Sequence, residues 1–147
     1  MKRIQNEMKL RLPAKSVNEG VCRGIISAFC AELNPTVEEL GDIRCAVSEA
    51  VTNCIVHGYR DVKNKDTAYI YISVRLYDTR EITIEISDNG VGIEDVELAR
   101  TPSYTTDKAG ERSGMGFLVM ESFTDSLTVK SKPNRGTTVL MRKFLTE

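Results

Sequence analysis

The chain is expected to fold as an α+β protein, a two-layer α/β sandwich in which helices cover one face of a mixed, mainly antiparallel sheet. Three features of the sequence lead to this. Two helix-periodic stretches with capping signals come early, two period-two strands joined by a short turn follow, and a last helix precedes two more strands. The order is therefore β, α, α, β, β, loop, α, β, β, which places the helices together against one sheet. At 147 residues the chain has the size of one domain, 1–147, and a domain of this length hides about 70% of the surface its unfolded chain would expose. No internal repeat or linker divides it.

Lys9, Leu10, Arg11 and Leu12 alternate as a short strand up to Pro13. Ser16 with Glu19 three residues later reads as a capping box opening a helix that carries Val17, Val21, Ile25, Ala28, Phe29 and Leu33 at spacings of three and four. Asn34-Pro35 stops that helix, and Thr36 with Glu39 repeats the box for a second one running to about Gly58. In the stretch 68–76, Ala68, Ile70, Ile72, Val74 and Leu76 share one face; after the turn at Asp78-Thr79-Arg80, Ile82, Ile84 and Ile86 repeat the pattern, so the two strands form a hairpin. Apolar periodicity vanishes over 101–113, a loop long enough to act as a lid. A helix over about 115–123 and strands over 126–131 and 137–144, joined by Pro133-Asn134-Arg135-Gly136, complete the order.

Composition narrows the function classes. Lys+Arg 20 against Asp+Glu 21, with 28% charged and 41% hydrophobic residues, is ordinary for a folded domain. No basic stripe favours direct nucleic-acid binding, no apolar stretch is long enough for a membrane span, and the first residues lack a secretory apolar region, which makes the cytoplasm the default compartment. The four cysteines, Cys22, Cys30, Cys45 and Cys54, form no CxxC pair and have one imidazole, His57, for company. They are expected to pack as core thiols.

Three segments carry chemistry. Glu49, Asn53 and His57 stand at successive i, i+4 positions of the second helix and share a face beside its apolar stripe. A carboxylate above a carboxamide suits a hydroxyl or water next to a hydrated cation, although the spacing alone fits a solvated polar face equally well. Asp88 ends the inward row Ile82, Ile84, Ile86, so a buried acid must find a hydrogen-bond donor in the protein or a ligand. Gly90 and Gly92 follow it at once; the alternative is an Asp-Asn-Gly turn that simply ends the strand. Gly110-Glu111-Arg112-Ser113-Gly114-Met115-Gly116 runs into a helix whose first N–H groups favour an anion, with Lys108 and Arg112 adding charge. That loop matches neither the Rossmann fingerprint nor the P-loop, so both of those readings are excluded.

Together the segments resemble the GHKL family of ATPases and kinases, whose fold is the Bergerat ATP-binding fold. Glu49-Ala50-Val51-Thr52-Asn53 is similar to the N box, Asp88-Asn89-Gly90-Val91-Gly92 to the first glycine box, Gly114-Met115-Gly116 to the second, and Gly136-Thr137-Thr138 to the closing GT element. They occur in the family's order over nearly the whole chain. Within the family the run Ser48 to Asn53 with His57-Gly58-Tyr59, and the run Glu111 to Phe117, most resemble the compact serine kinases that double as anti-sigma factors, in their sporulation branch. The stress-response branch is the near alternative.

The resemblance implies specific roles. Asn53 would ligate the Mg²⁺ that bridges the ATP phosphates, Asp88 would accept from the adenine amine with Thr138 near the base, and Gly90, Gly92, Gly114 and Gly116 would let backbone approach the nucleotide. Glu49 would take the proton of an incoming serine hydroxyl, and Arg112 in the 101–113 lid would stabilise charge on the transferring phosphoryl group. His57 fits the pattern of these kinases as a helix-terminal residue and not as a phosphoacceptor. The implied partners are a sigma factor held silent, an anti-anti-sigma factor phosphorylated on serine, and a second copy of the chain in a homodimer; two copies would grip one sigma subunit, with Arg23 of the first helix as the candidate contact to it. ATP would favour the sigma complex and ADP the other. Two rival readings are an ATPase clamp, which predicts hydrolysis without a protein acceptor, and a nucleotide-dependent sigma-binding module, which has no need of Glu49 as a base.

Overall fold

The computed structural model describes residues 1–101 and 115–147. Its elements run β1 (Ile4–Pro13), α1 (Val17–Cys30), α2 (Val37–Thr52), β2 (Tyr69–Tyr77), β3 (Glu81–Asp88), a single-turn α3 (Val96–Ala99), α4 (Gly116–Phe123), β4 (Ser126–Ser131) and β5 (Thr137–Phe144). The sheet order is β1-β2-β3-β5-β4. All four pairings among the described residues are antiparallel, so the sheet needs none of the parallel component that a mixed sheet allows.

The hairpin forms in the expected register, with Ile72 opposite Ile86 and Val74 opposite Ile84. Ala68, Ile70, Ile72, Val74 and Leu76 are all buried, as are Ile82, Ile84 and Ile86. Strand β1 begins five residues earlier than its alternation predicts, because pairing with β2 supplies partners for the polar stretch ahead of Lys9. On the helix side Ile43, Ala46, Val47, Ala50 and Val51 of α2 pack inward with Phe117 and Met120 of α4.

Helix α1 departs from expectation in which residues it buries. Cys22, Ile26 and Cys30 turn inward, whereas Val17, Val21 and Ile25 are exposed. Burial raises the Cys22 thiol to about 11 and the Cys30 thiol to about 12. Cys54 is buried as well, so three thiols are core residues as expected; Cys45 is the exception and is exposed.

The two capping boxes differ. Thr36 and Glu39 form theirs completely: the Glu39 N–H donates to Thr36 Oγ1 at 3.0 Å and the Thr36 N–H to Glu39 Oε1 at 2.9 Å. The expected Ser16 box is absent, since Ser16 makes no side-chain cap and Glu19 instead accepts from Ser48 of α2 and pairs with Arg23. Glu39 also accepts from the Thr146 N–H at 2.8 Å, so one carboxylate joins the start of α2 to the last residues of the chain.

The Thr36 N–H, and then the Thr146 N–H and the two hydroxyls, hold the Glu39 carboxyl below its ordinary value of 4.5 against the opposing effect of burial. A group with a depressed folded pKa stabilises the fold fully above its unfolded value and loses that contribution as pH falls through the folded one. Glu39→Ala is therefore expected to lower stability by about 1 kcal/mol at pH 7, with the gap to wild type closing as the pH drops below 4.5. Urea unfolding at pH 7 and pH ~3 checks this; a gap that stays constant with pH would sink it.

Candidate functional site

Helix α2 does not continue as an α-helix to Gly58. After Thr52 the chain enters a π-helical turn, Asn53–Gly58, in which the Tyr59 N–H bonds to the Cys54 carbonyl at 3.0 Å, an i to i+5 closure. Such wide turns place a few side chains out of α-helical register and concentrate at functional sites. Here Asn53, Cys54 and His57 all face a cavity of about 600 Å³, a size suited to a small organic ligand. The end of β3, the segment through α3, the start of α4 and the start of β5 supply its other walls.

Asp88 lies in the apolar part of this cavity and is 5% exposed. The Gly90 N–H donates to its Oδ1 at 2.9 Å. Burial raises its pKa above the ordinary value, and hydrogen bonding, that of the Gly90 N–H foremost, offsets the rise only in part. The carboxylate is thus poised to gain from one further donor, such as an exocyclic amine.

The glycines beside it fit through sheer lack of space. A Cβ on Gly90 would lie 1.9 Å from the Gly58 carbonyl oxygen. Gly92 has φ +74° and its Cβ would meet the Lys132 oxygen at 1.9 Å, a conformation and a contact that other residues avoid. The same turn is tied to the π segment by the Val91 N–H bonding the Gly58 carbonyl at 2.8 Å, and Tyr59 Oη accepts from the Asn89 N–H at 2.8 Å while donating to the Tyr69 carbonyl at 2.6 Å.

At the other end of the cavity α4 begins directly against α2. A Cβ on Gly116 would stand 3.2 Å from Asn53 Oδ1 and 3.3 Å from Glu49 Oε2. The first turn of α4, the end of a helix that favours an anion, therefore opens next to a carboxamide and a carboxylate, a polarity suited to an anion that carries its own cation. Glu49 lines an adjoining groove of about 540 Å³ between α1, α2 and α4, together with Arg23, Leu40, Arg44, Val119 and Phe123. Asn53, which lines the cavity, and Glu49, which lines the groove, thus meet at the start of α4.

Of the residues singled out in sequence, Asn53, Asp88, Gly92 and Gly116 line the cavity, Gly90 braces it, and Glu49 and Arg23 line the groove. Arg112 and Gly114, with most of the expected lid, fall in 102–114, outside the described residues. Thr138 needs correction: Thr137 and Val139 line the cavity, and strand alternation turns Thr138, opposite Ser87, to the far face of the sheet. The inward pair Val139 and Met141 carried that register in the sequence. Also missed were Ile93, and Leu98 and Ala99 on α3, which close the apolar wall; Asp95, whose side chain caps Leu98, was the available signal.

Comparison with known proteins agrees with this geometry. The sequence profile of the histidine kinase-like ATPase domain matches residues 12–143. An anti-sigma F factor of Clostridium perfringens (strain SM101 / Type A) is 51% identical over 140 residues, covering 95% of this chain and 97% of the relative; one from Thermoanaerobacter sp. (strain X514) is 49% identical, covering 95% and 94%. The solved RsbU and RsbW domains of Rv1364c from Mycobacterium tuberculosis superpose with a TM-score of 0.69 at 18% identity, covering 97% of this chain and 33% of that one. That last likeness speaks for the fold.

Proposed function

Because the chain belongs to the anti-sigma F factors of the histidine kinase-like ATPase family, we propose that it binds sigma F and, as a protein serine kinase, transfers the γ-phosphate of ATP to a serine of an anti-anti-sigma factor. The observation that carries this reading is the meeting of Glu49, which lines the groove, with Asn53, which lines the cavity, against Gly116. The cavity takes the nucleotide and the groove takes the acceptor.

Adenine occupies the apolar end, its amine donating to Asp88 with Thr137 beside it, while Gly90 and Gly92 hold the backbone close. The triphosphate runs to the N-terminus of α4, whose N–H groups and dipole stabilise it. Among the described residues no group of three or more His, Cys, Asp or Glu could hold a metal. The hard carboxamide oxygen of Asn53 fits Mg²⁺ only as one ligand among phosphate oxygens and waters, the usual way that ion is held with nucleotides. When bound, the ion neutralises charge on the phosphates.

Glu49 accepts the proton of the serine hydroxyl entering from the groove as that oxygen attacks the γ-phosphorus. Arg23 and Arg44 at the groove give it a basic rim for an acidic segment of the acceptor. The roles that the resemblance implies for Arg112 and Gly114 toward the phosphates fall outside the described residues, and ADP left after transfer favours the acceptor complex over the sigma complex. The exposed Val17, Val21 and Ile25 of α1 give an apolar face for sigma or for a second copy in a homodimer. No described helix is long and apolar enough to cross a membrane.

The test is incubation with labelled ATP, Mg²⁺ and a candidate anti-anti-sigma protein. Label on a partner serine is the expected result. ATP-dependent sigma binding without transfer would reduce the protein to a binding module, and hydrolysis without a labelled partner would point to an ATPase.

A further inference from the structure

Ser131, the last residue of β4, stands behind the cavity wall with no task in the machinery described so far. Its hydroxyl oxygen has three partners, each at 2.8 Å: the Ile93 N–H, the Gly136 carbonyl oxygen and the Thr137 hydroxyl. Two of these residues, Ile93 and Thr137, line the cavity. Ser131 and Thr137 lie directly opposite each other where β4 pairs with β5, so their side chains share one face of the sheet. A serine that only closed the turn before β5 would need the Gly136 bond and neither of the others.

The three bonds fix where the protons are. A hydroxyl has one proton and two lone pairs. The Ile93 N–H can only donate, so it occupies one lone pair of Ser131; the Gly136 carbonyl can only accept, so it receives the Ser131 proton. One lone pair remains, and the bond between the two hydroxyls then forms only with Thr137 as its donor. Turning the serine proton toward Thr137 instead would leave the Gly136 oxygen without it, two bonds in place of three. The Thr137 proton therefore points at Ser131, and Thr137 Oγ1 has only lone pairs left for the cavity. Asp88, the register partner of Thr137 where β3 pairs with β5, is an acceptor as well.

We propose that Ser131 is a positioning residue for base selection: by holding the Thr137 proton it keeps Thr137 an acceptor, so that the base edge meets two acceptors and an exocyclic amine is chosen over a carbonyl. The inference rests on the reading of the cavity as the adenine site. Adenine brings a 6-amino group there. Hypoxanthine brings an oxygen, which a released Thr137 hydroxyl could turn to meet.

Calorimetric titration of the full chain with Mg²⁺-ATP and with Mg²⁺-inosine triphosphate, which has oxygen in place of the 6-amino group, tests this through the ratio of the two affinities. Wild type prefers ATP. Ser131→Ala frees the Thr137 hydroxyl, and the preference falls roughly five-fold, the size expected of one hydrogen bond; Ser131→Thr, which retains a hydroxyl, keeps it. In a Thr137→Val background Ser131→Ala changes the ratio by less than about two-fold, because the group it acts through is gone. Affinities that fall together at constant ratio would overturn the proposal and leave Ser131 a brace for the turn, as would an equal drop in ratio in the Thr137→Val background. A wild type that binds both nucleotides equally would overturn it together with the adenine reading. Should alanine unfold the chain, Ser131→Cys, whose sulfur is a weak acceptor, carries the same comparison.

Discussion

Glu49→Gln is expected to lower phosphoryl transfer to the acceptor serine by about 10²–10⁴-fold, the usual contribution of a positioned general base, while ATP affinity stays within about three-fold of wild type. The two side chains have nearly the same shape, and Glu49 lines the groove while Asn53 lines the cavity, so the substitution leaves the cavity walls as they are. What disappears is a site for the serine proton at the point where acceptor and phosphate meet. Single-turnover transfer measured beside equilibrium ATP binding checks both halves. If affinity falls in step with rate, Glu49 is a nucleotide-binding residue and the assignment of the cavity to nucleotide and the groove to acceptor is wrong. If transfer is unchanged, the proton leaves by another route and Glu49 is not the base.

What could be read from the sequence followed the range of the force involved. The rows Ile70, Ile72, Val74 and Ile82, Ile84, Ile86 were legible because strand alternation is local, and Asp88 at the end of such a row was marked as a buried acid for the same reason. The Thr36–Glu39 box was legible because both partners lie within one turn. Its twin at Ser16 failed through a tertiary competitor, Ser48 on another helix, which draws Glu19 away. The π-helical turn was invisible because its register is set by the close approach of Gly58 to Asp88 and Gly90, a contact across 30 or more residues of chain. His57 reaches the cavity by that turn and not by a simple i, i+4 stack on Glu49 and Asn53. The apolar wall of Ile93, Leu98 and Ala99 bears no motif at all, since any aliphatic residue there would cover a flat base.

The glycines of the two boxes lend themselves to opposite outcomes, and the contrast separates structural from chemical roles. Gly90→Ala would set a Cβ 1.9 Å from the Gly58 oxygen and 2.4 Å from its carbon. Both are backbone atoms, in the segment whose carbonyl accepts from the Val91 N–H; neither side can yield without opening the joint between the π-helical turn and the end of β3. The expected loss is about 3 kcal/mol, a fall of roughly 10 °C in melting temperature for a domain of this size, with nucleotide binding lost in proportion. Gly116→Ala meets only side-chain atoms, Asn53 Oδ1 at 3.2 Å and Glu49 Oε2 at 3.3 Å, which can retreat by a few tenths of an ångström. Alanine also suits the first turn of a helix better than glycine. Melting temperature should therefore stay within about 2 °C of wild type, whereas transfer should drop by about ten-fold or more, because the two atoms that retreat are the metal ligand and the base, and misplacement of this kind is costly to phosphoryl transfer. Thermal melts run beside transfer rates decide it. A Gly116→Ala protein that melts early but transfers normally per folded molecule would show that the contact between α4 and α2 is packing alone.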